Sequence, residues 1–189
     1  MVKIALIGKA GSGKSTILKY LEKEYNFVGL KIAEPIYDIA TEYFDMKGKD
    51  RGLLQFIGNG FREYGDGKYK NIWIDYLMKA IKWSECDAWG VQFVIDDCRF
   101  KNEFNTFKEA GWVSIGLNCP VDVRRSRMID RDGSAQLETL NDVSETEMDS
   151  FLDQCNHFIN TNGSYEENYE EIDQLMNQLG IKRVPKKSI

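Results

Sequence analysis

The chain has 189 residues, of which 42% are hydrophobic, and a formal net charge of −5. This length and composition predict one domain with a well-filled core. The negative charge argues against a nucleic-acid polymer or a membrane as partner, because neutralising many phosphates requires a surplus of Lys and Arg. No apolar run has the length of a membrane span or the pattern of a signal peptide, so we expect a cytoplasmic protein. The cysteines form no CxxC pair and are predicted to be free thiols.

Short apolar runs alternate with amphipathic segments along the chain. In chain order, the predicted strands are VKIALIG (2–8), NFVGLKIA (26–33), VQFVI (91–95), WVSIGL (112–117) and HFIN (157–160). The predicted helices lie at 14–24, 35–43, 51–65 with interruptions at glycines 52, 58 and 60, then 69–83, 102–110, 120–131, 142–153 and 165–179. In the helix at 142–153, Ser144 and Glu147 match a capping box. This alternation predicts an α/β fold of three αβα layers, with a parallel five-stranded sheet covered on both faces.

The stretch IGKAGSGKST, directly after the first predicted strand, matches the pattern GxxxxGKS. Its glycines let backbone N–H groups turn inward onto phosphates, and the helix that follows adds partial positive charge. Lys14 is predicted to reach the β and γ phosphates of ATP, and the Ser15 hydroxyl to bind Mg²⁺. The predicted nucleotide-binding residues of this loop are Gly8, Lys9, Ala10, Gly11, Ser12, Gly13, Lys14, Ser15 and Thr16.

Three classes of nucleotide-binding protein share such a loop. A switch GTPase is excluded because NKxD is absent and the DxxG at 87–90 precedes a strand instead of following it. A motor or AAA-type ATPase is disfavoured by size, although Asp96 and Asp97 after VQFVI imitate its carboxylate pair. A small-molecule kinase remains, and it needs an acceptor pocket and a lid that carries cations.

The predicted helix at 120–131 supplies arginines suited to a lid. At about 100° per residue, Arg124, Arg127 and Arg131 lie near 0°, 300° and 340°, whereas Arg125 points about 100° away. An anion would relieve the repulsion among these arginines, so we predict catalytic roles for the three that share a face. The alternative is a surface helix neutralised by its own acids, Asp122, Asp130 and Asp132.

Candidate acceptor contacts lie near the ends of two predicted strands and in the helical stretch between them. Glu34 follows the second strand and Asp97 and Arg99 follow the third, where ligands bind in open α/β sheets. Arg99 is suited to grip a monophosphate, and Asp97 to hold Mg²⁺ or orient the acceptor. The helical stretch between these strands adds Arg51, Gln55, Arg62 and Trp73.

The string DCRFKNE (97–103) resembles the DVRFPNE-type motif of phage-type deoxynucleoside monophosphate kinases, which belong with adenylate kinase to the P-loop nucleoside monophosphate kinases. Four other segments are similar to that family in the same order along the chain: IAEPIYDIA, LLQFIGNGFRE, DVSETEMD and FINTNGSYEEN. The resemblance implies a single P-loop NTPase-fold kinase domain over residues 1–189, with an acceptor-binding insert at about 34–83 and a helical lid at about 120–142. A viral member would act in the host cytoplasm.

The resemblance also implies an activity and a set of roles. The activity is ATP- and Mg²⁺-dependent phosphorylation of a deoxynucleoside monophosphate, with an adenine-side loop at Asn162-Gly163. The implied acceptor contacts are Glu34, Gln55, Arg62, Asp97 and Arg99. Departures from the family pattern at Asn59-Gly60, Lys101 and Val143 leave the base preference open. A dephospho-coenzyme A kinase, a non-enzymatic nucleotide-binding regulator and a homodimer also remain open.

Overall fold

The computed structural model describes residues 2–87, 90–132 and 143–185. Its core is a five-stranded parallel sheet with the strand order β2-β3-β1-β4-β5. The strands are β1 (Lys3–Ile7), β2 (Phe27–Leu30), β3 (Gln92–Ile95), β4 (Val113–Asn118) and β5 (His157–Asn160). The predicted fold class, a three-layer α/β fold with a parallel five-stranded sheet, is confirmed.

The chain divides into two compact units. The first, Met1–Gly29 with Val91–Ile189, carries most of the sheet together with α1 (Lys14–Tyr25), α5 (Lys101–Glu109), α6 (Val121–Asp132), α7 (Val143–Met148) and α8 (Tyr165–Gln178). The second, Leu30–Gly90, contains α2 (Glu34–Phe44), α3 (Arg51–Glu63) and α4 (Ile72–Asp87). The second unit includes the predicted insert at 34–83, while the assignment of the whole chain to one domain stays a prediction.

The register of the sheet brings the ends of its central strands together. Ile7, the last residue of β1, lies beside Gly116 of β4, and Asn118 at the end of β4 lies beside Asn160 at the end of β5. Four of the five residues of β1 are buried, as expected for a central strand of a parallel sheet. The loop that follows β1 therefore emerges at the carboxyl edge, where open α/β sheets bind ligands.

Three predicted helices differ from the observed ones. Helix α3 is continuous over Arg51–Glu63, so its glycines do not interrupt it. Helix α4 begins at Ile72 instead of 69, because Gly65, Asp66 and Gly67 all adopt positive φ in the preceding turn. The helix predicted at 142–153 ends at Met148, and a short 3-10 turn follows at Leu152–Gln154.

No helix in the described part of the chain is long and apolar enough to cross a membrane. Residues 133–142, which complete the predicted lid, lie outside the described residues.

Candidate active site

The loop between β1 and α1 has the backbone of a phosphate cradle. Gly11 and Gly13 adopt φ values of +78° and +93°, which L side chains rarely tolerate. Gly13 is also the N-cap of α1, where no side chain caps the helix and no acid lies in the first turn. The partial positive charge at the start of α1 is therefore not offset by a capping side chain or an acid of the first turn, which suits an anion.

The side chains of Lys14 and Ser15 extend from the first turn of α1. The Lys14 ammonium donates to the carbonyl oxygens of Gly8 and Lys9, the latter at 3.1 Å, so it lies over the loop. The Ser15 hydroxyl donates to Oδ2 of Asp96 at 2.7 Å. Asp96 is only 4% exposed and directly follows β3, which places this carboxylate at the foot of the cradle.

The Ser15–Asp96 pair fits a small hard cation. Mg²⁺ keeps several waters and takes one or two protein oxygens together with substrate phosphates, and this pair supplies such oxygens. The described residues contain no group of three or more His, Cys, Asp or Glu that could hold a metal ion, so the nucleotide and water would complete the coordination. Asp97, the predicted metal ligand, is half-buried, and its role stays a prediction.

Helix α6 contacts the back of the cradle. Arg124 is 8% exposed, and its Nη1 donates to the carbonyl of Ala10 at 3.2 Å. The carbonyl oxygen of Arg124 would lie 2.6 Å from a Cβ placed on Gly11, so only glycine fits between loop and helix. The Arg124 guanidinium thus supports the loop backbone, and its predicted catalytic role stays a prediction.

The other arginines of α6 differ in exposure. Arg127 is half-buried, donates to Cys119 Sγ at 3.5 Å, and lies 3.9 Å from the Cβ position of Gly13. Arg125 is exposed and lines a separate cavity with Val121 and Ile129. Arg131 is exposed near the end of α6. Arg127 is thus the α6 guanidinium nearest the start of α1, and catalytic roles for Arg127 and Arg131 stay predictions.

The residue that follows β5 also holds the cradle. The Thr161 hydroxyl, 1% exposed, donates to the carbonyl of Ser12 at 2.8 Å and lies 3.2 Å from that of Asn118. The hydroxyl of Ser12 is itself buried and has no hydrogen-bond partner within the described residues. The loop thus depends on a residue distant in sequence, which local motif matching could not identify.

A cavity of about 410 Å³ opens beside the cradle. It lies between the loop residue Lys9, the end of β4, Arg124 of α6 and the segment after β5. Asn162, predicted on the adenine side, is among its lining residues, together with Asn118 and Asn160. Gly163 is exposed two residues before α8 begins, and its predicted nucleotide contact is untested.

The DCRFKNE segment connects β3 to α5. Arg99 is exposed, while the carboxylate of Glu103 is buried and accepts from the backbone N–H groups of Arg99 at 2.9 Å and Phe100 at 3.2 Å. Burial, and then the charges of Glu103 and Asp97, raise the pKa of the Cys98 thiol well above its usual value. Glu103, which sequence reasoning gave no role, therefore shapes the turn that carries Arg99 and Asp97.

The second unit holds the remaining predicted acceptor contacts. Glu34 is exposed at the first position of α2, and Gln55 is exposed on α3. On the same unit, the carbonyl of Gly58 accepts from Arg62 Nη1 at 3.3 Å and from Trp73 Nε1 at 3.0 Å. Trp73 is 4% exposed, so its ring packs inside this unit, and a contact with substrate stays a prediction.

Comparison with known proteins places this geometry in a family. The model of the family described as "AAA domain" matches residues 4–149. A protein of Acanthamoeba polyphaga mimivirus, provisionally described as a deoxynucleotide monophosphate kinase, is 28% identical over 145 residues, which is 64% of this chain and 75% of the relative. The family match corrects the size argument against the AAA class, because an AAA domain fits within 189 residues.

Solved structures share the fold at low sequence identity. Shikimate kinase from Aquifex aeolicus superposes with a TM-score of 0.56 at 15% identity, covering 95% of this chain and 98% of that one. The protein TT1252 from Thermus thermophilus gives a TM-score of 0.56 at 14% identity, covering 94% and 97%. The chain therefore belongs to the AAA domain family, and it resembles the mimivirus protein in sequence and the shikimate kinase in fold.

Proposed function

We propose that the protein transfers the γ-phosphoryl group of ATP to the 5′-phosphate of a deoxynucleoside monophosphate. The observation that carries the proposal is the cradle: an uncapped helix N-terminus, Lys14 over the loop, and Ser15 paired with Asp96. The acceptor class is supported by the DCRFKNE motif and by the description of the mimivirus relative.

In this reaction an oxygen of the acceptor phosphate attacks the γ phosphorus of ATP, and a new P–O bond forms. The bond from the γ phosphorus to the oxygen bridging the β and γ phosphates breaks, and ADP leaves with that electron pair. The acceptor phosphate is already ionised at neutral pH, so no general base is required. Catalysis then rests on positioning and on neutralising charge at the transferring group.

The residues of the first unit would divide this work. The loop N–H groups and Lys14 bind the β and γ phosphates, and Arg127 neutralises charge on the transferring group. Mg²⁺ bound at Ser15 and Asp96 would offset the negative charge shared by the β and γ phosphates. Arg99 binds the acceptor phosphate from the turn that Glu103 shapes, and Asp97 orients it.

Within the second unit taken by itself, the proposed acceptor contacts are Glu34, Gln55 and Arg62. Gln55 and Arg62 are seven residues apart on α3, which places them on the same face of the helix. Glu34 is the first residue of helix α2, which packs near α3. Ile36 of α2 lies 3.3 Å from a Cβ placed on Gly58, a residue of α3 between Gln55 and Arg62 in sequence. An arginine, an amide and a carboxylate match the phosphate and polar base edges of a nucleotide.

An acceptor panel tests the proposal. ADP release is measured with ATP and Mg²⁺ against every common deoxy- and ribonucleoside monophosphate, with dephospho-coenzyme A and shikimate as competing acceptors. We expect at least one deoxynucleoside monophosphate to raise ADP release far above the rate without acceptor. Stimulation by dephospho-coenzyme A alone would identify a different kinase, and ATP binding without stimulation by any acceptor would identify a regulator.

A further inference from the structure

One short segment of the first unit reaches the DCRFKNE turn from a separate part of the chain. Oε1 of Glu147, near the end of α7, accepts from the backbone N–H of Lys101 at 2.9 Å. Lys101 is the first residue of α5 and follows Arg99 by two positions. Ser144, the predicted capping-box partner of Glu147, lies outside the described side chains.

Buried aromatic and sulfur side chains hold this segment in place. Met148 is 1% exposed and Phe151 is fully buried. The ring of Phe151 stacks on Phe104 of α5, with centroids 5.0 Å apart. The segment that carries Glu147 therefore packs against α5, and Glu147 binds Lys101, the first residue of that helix.

Three consecutive N–H groups of the turn are held by carboxylates. Those of Arg99 and Phe100 donate to Glu103, which is 3% exposed and belongs to α5 itself. That of Lys101 donates to Glu147 from α7. Hydrogen bonds to charged acceptors are stronger than those between neutral groups, so the backbone carrying Arg99 is fixed from two elements.

We propose that Glu147 is a positioning residue for Arg99, acting through the backbone of Lys101. This inference rests on the proposed function, in which Arg99 binds the acceptor phosphate. Glu147 affects the binding of the acceptor through Arg99, whereas the ATP phosphates bind at the cradle. Loss of the hydrogen bond from Lys101 to Glu147 therefore weakens acceptor binding selectively.

The segment offers a matched control two residues away. Asp149 is 61% exposed and pairs with Lys9 of the cradle, its Oδ1 lying 2.6 Å from Nζ. Asp149→Asn removes the same charge from the same segment without touching residues 99–101. Glu147→Gln keeps a carbonyl oxygen that can accept from Lys101, so it separates the hydrogen bond from the charge.

The experiment combines kinetics with amide exchange. KM for ATP and for the acceptor is measured for the wild type, Glu147→Ala, Glu147→Gln and Asp149→Asn, and exchange of the Lys101 amide is followed by NMR. For Glu147→Ala we expect acceptor KM and Lys101 exchange each to rise by about tenfold, with ATP KM within about twofold. Glu147→Gln should return acceptor KM and Lys101 exchange most of the way to their wild-type values. Asp149→Asn should leave both quantities unchanged.

Other outcomes contradict the proposal. Equal increases in both KM values, or a lower melting temperature with unchanged acceptor KM, would give Glu147 a merely structural role. If Glu147→Ala does not fold, Glu147→Asp replaces it, because the shorter side chain withdraws the carboxylate from Lys101: raised acceptor KM and faster Lys101 exchange support the proposal, and wild-type values of both overturn it. If no acceptor is phosphorylated, the proposed function fails, while Lys101 exchange still decides whether Glu147 holds this backbone.

Discussion

In the proposed reaction, Lys14 is the cation that binds the β and γ phosphates. Its ammonium contacts the Gly8 and Lys9 carbonyls, so it lies where the β and γ phosphates would bind. We expect Lys14→Ala to lower kcat by about 10²–10³-fold, as for loss of one preorganised donor to the transferring group. Lys19→Ala, at an exposed position of the same helix, is the control and should keep kcat and the melting temperature. Near-normal turnover of Lys14→Ala would contradict this role.

Two neighbouring aspartates compete for the role of metal ligand. Asp96 accepts from Ser15, whereas sequence reasoning chose Asp97. We expect Asp96→Asn to raise the Mg²⁺ concentration for half-maximal rate by at least about tenfold, because the amide loses the negative charge that a hard cation prefers. Asp97→Asn should change the Mg²⁺ requirement much less. The measurement is a Mg²⁺ titration of kcat at saturating ATP, and the opposite ranking would restore Asp97 as the ligand.

The arginines of α6 offer a second matched pair. Arg127 is half-buried and near the start of α1, while Arg125 is exposed in a separate cavity. Arg127→Ala should lower kcat by at least about tenfold through lost neutralisation of the transferring group, and Arg125→Ala by less than about twofold. Steady-state kinetics with saturating substrates provide the comparison. Equal effects would remove Arg127 from the catalytic set.

At the scale of elements, the contact between α6 and the cradle depends on one glycine. A Cβ at Gly11 would meet the Arg124 carbonyl at 2.6 Å, and its φ of +78° strains any other residue. Gly11→Ala should therefore push α6 away from the loop and raise the Kd for ATP by at least about tenfold. Gly48→Ala, where no atom lies within 4 Å of the added Cβ, is the control. Isothermal titration with ATP tests this, and unchanged affinity for Gly11→Ala would show that the loop adapts.

Strands were easier to predict than helix limits. Each of the predicted strands exists, because runs such as VQFVI are apolar on both faces. The predicted interruptions of α3 at its glycines were wrong, because helix propensity takes no account of tertiary packing. Gly58 is buried, and Ile36 lies 3.3 Å from the position of its added Cβ. The early end of α7 follows from tight turns, in which Ser150 N donates to Glu147 O and Phe151 N to Met148 O.

The candidate site was predictable where chemistry is local. The cradle residues follow from one motif, since its glycines and lysine act within ten positions. Contacts between residues far apart in sequence could not be predicted from the motif, such as those of Asp96 with Ser15 and of Thr161 with Ser12. Trp73 was predicted as an acceptor contact from its place after α3, which stays a prediction, and its hydrogen bond to the Gly58 carbonyl did not follow from the sequence.

At the scale of the whole molecule, buried thiols make stability depend on alkaline pH. Burial is the main cause that raises the pKa of Cys155 from 9.0 to about 12. The unfolded chain therefore loses this proton first, and the stability that the neutral thiol provides below pH 9 is lost as pH rises towards 12.

We expect the melting temperature of the wild type to fall more steeply between pH 9 and pH 11 than that of Cys155→Ala. The variant is less stable at pH 7 because it leaves a small cavity, so the slopes are compared and not the absolute values. Tyr20 and Tyr25, whose pKa values are also raised by burial, titrate in both proteins and cancel in the difference. Parallel slopes would show that the Cys155 thiol ionises as readily in the fold as in the unfolded chain.

The Thr161 hydroxyl joins two parts of the chain that leave the ribosome far apart in time. Residues 8–16 of the cradle are made first, and the carbonyl of Ser12 accepts its hydrogen bond from a residue 149 positions later. Strands β4 and β5, whose ends Thr161 joins to the loop, are also made after the cradle. A nascent chain halted before β5 would carry the full motif without this hydrogen bond, so we expect it to bind ATP more weakly than the folded protein.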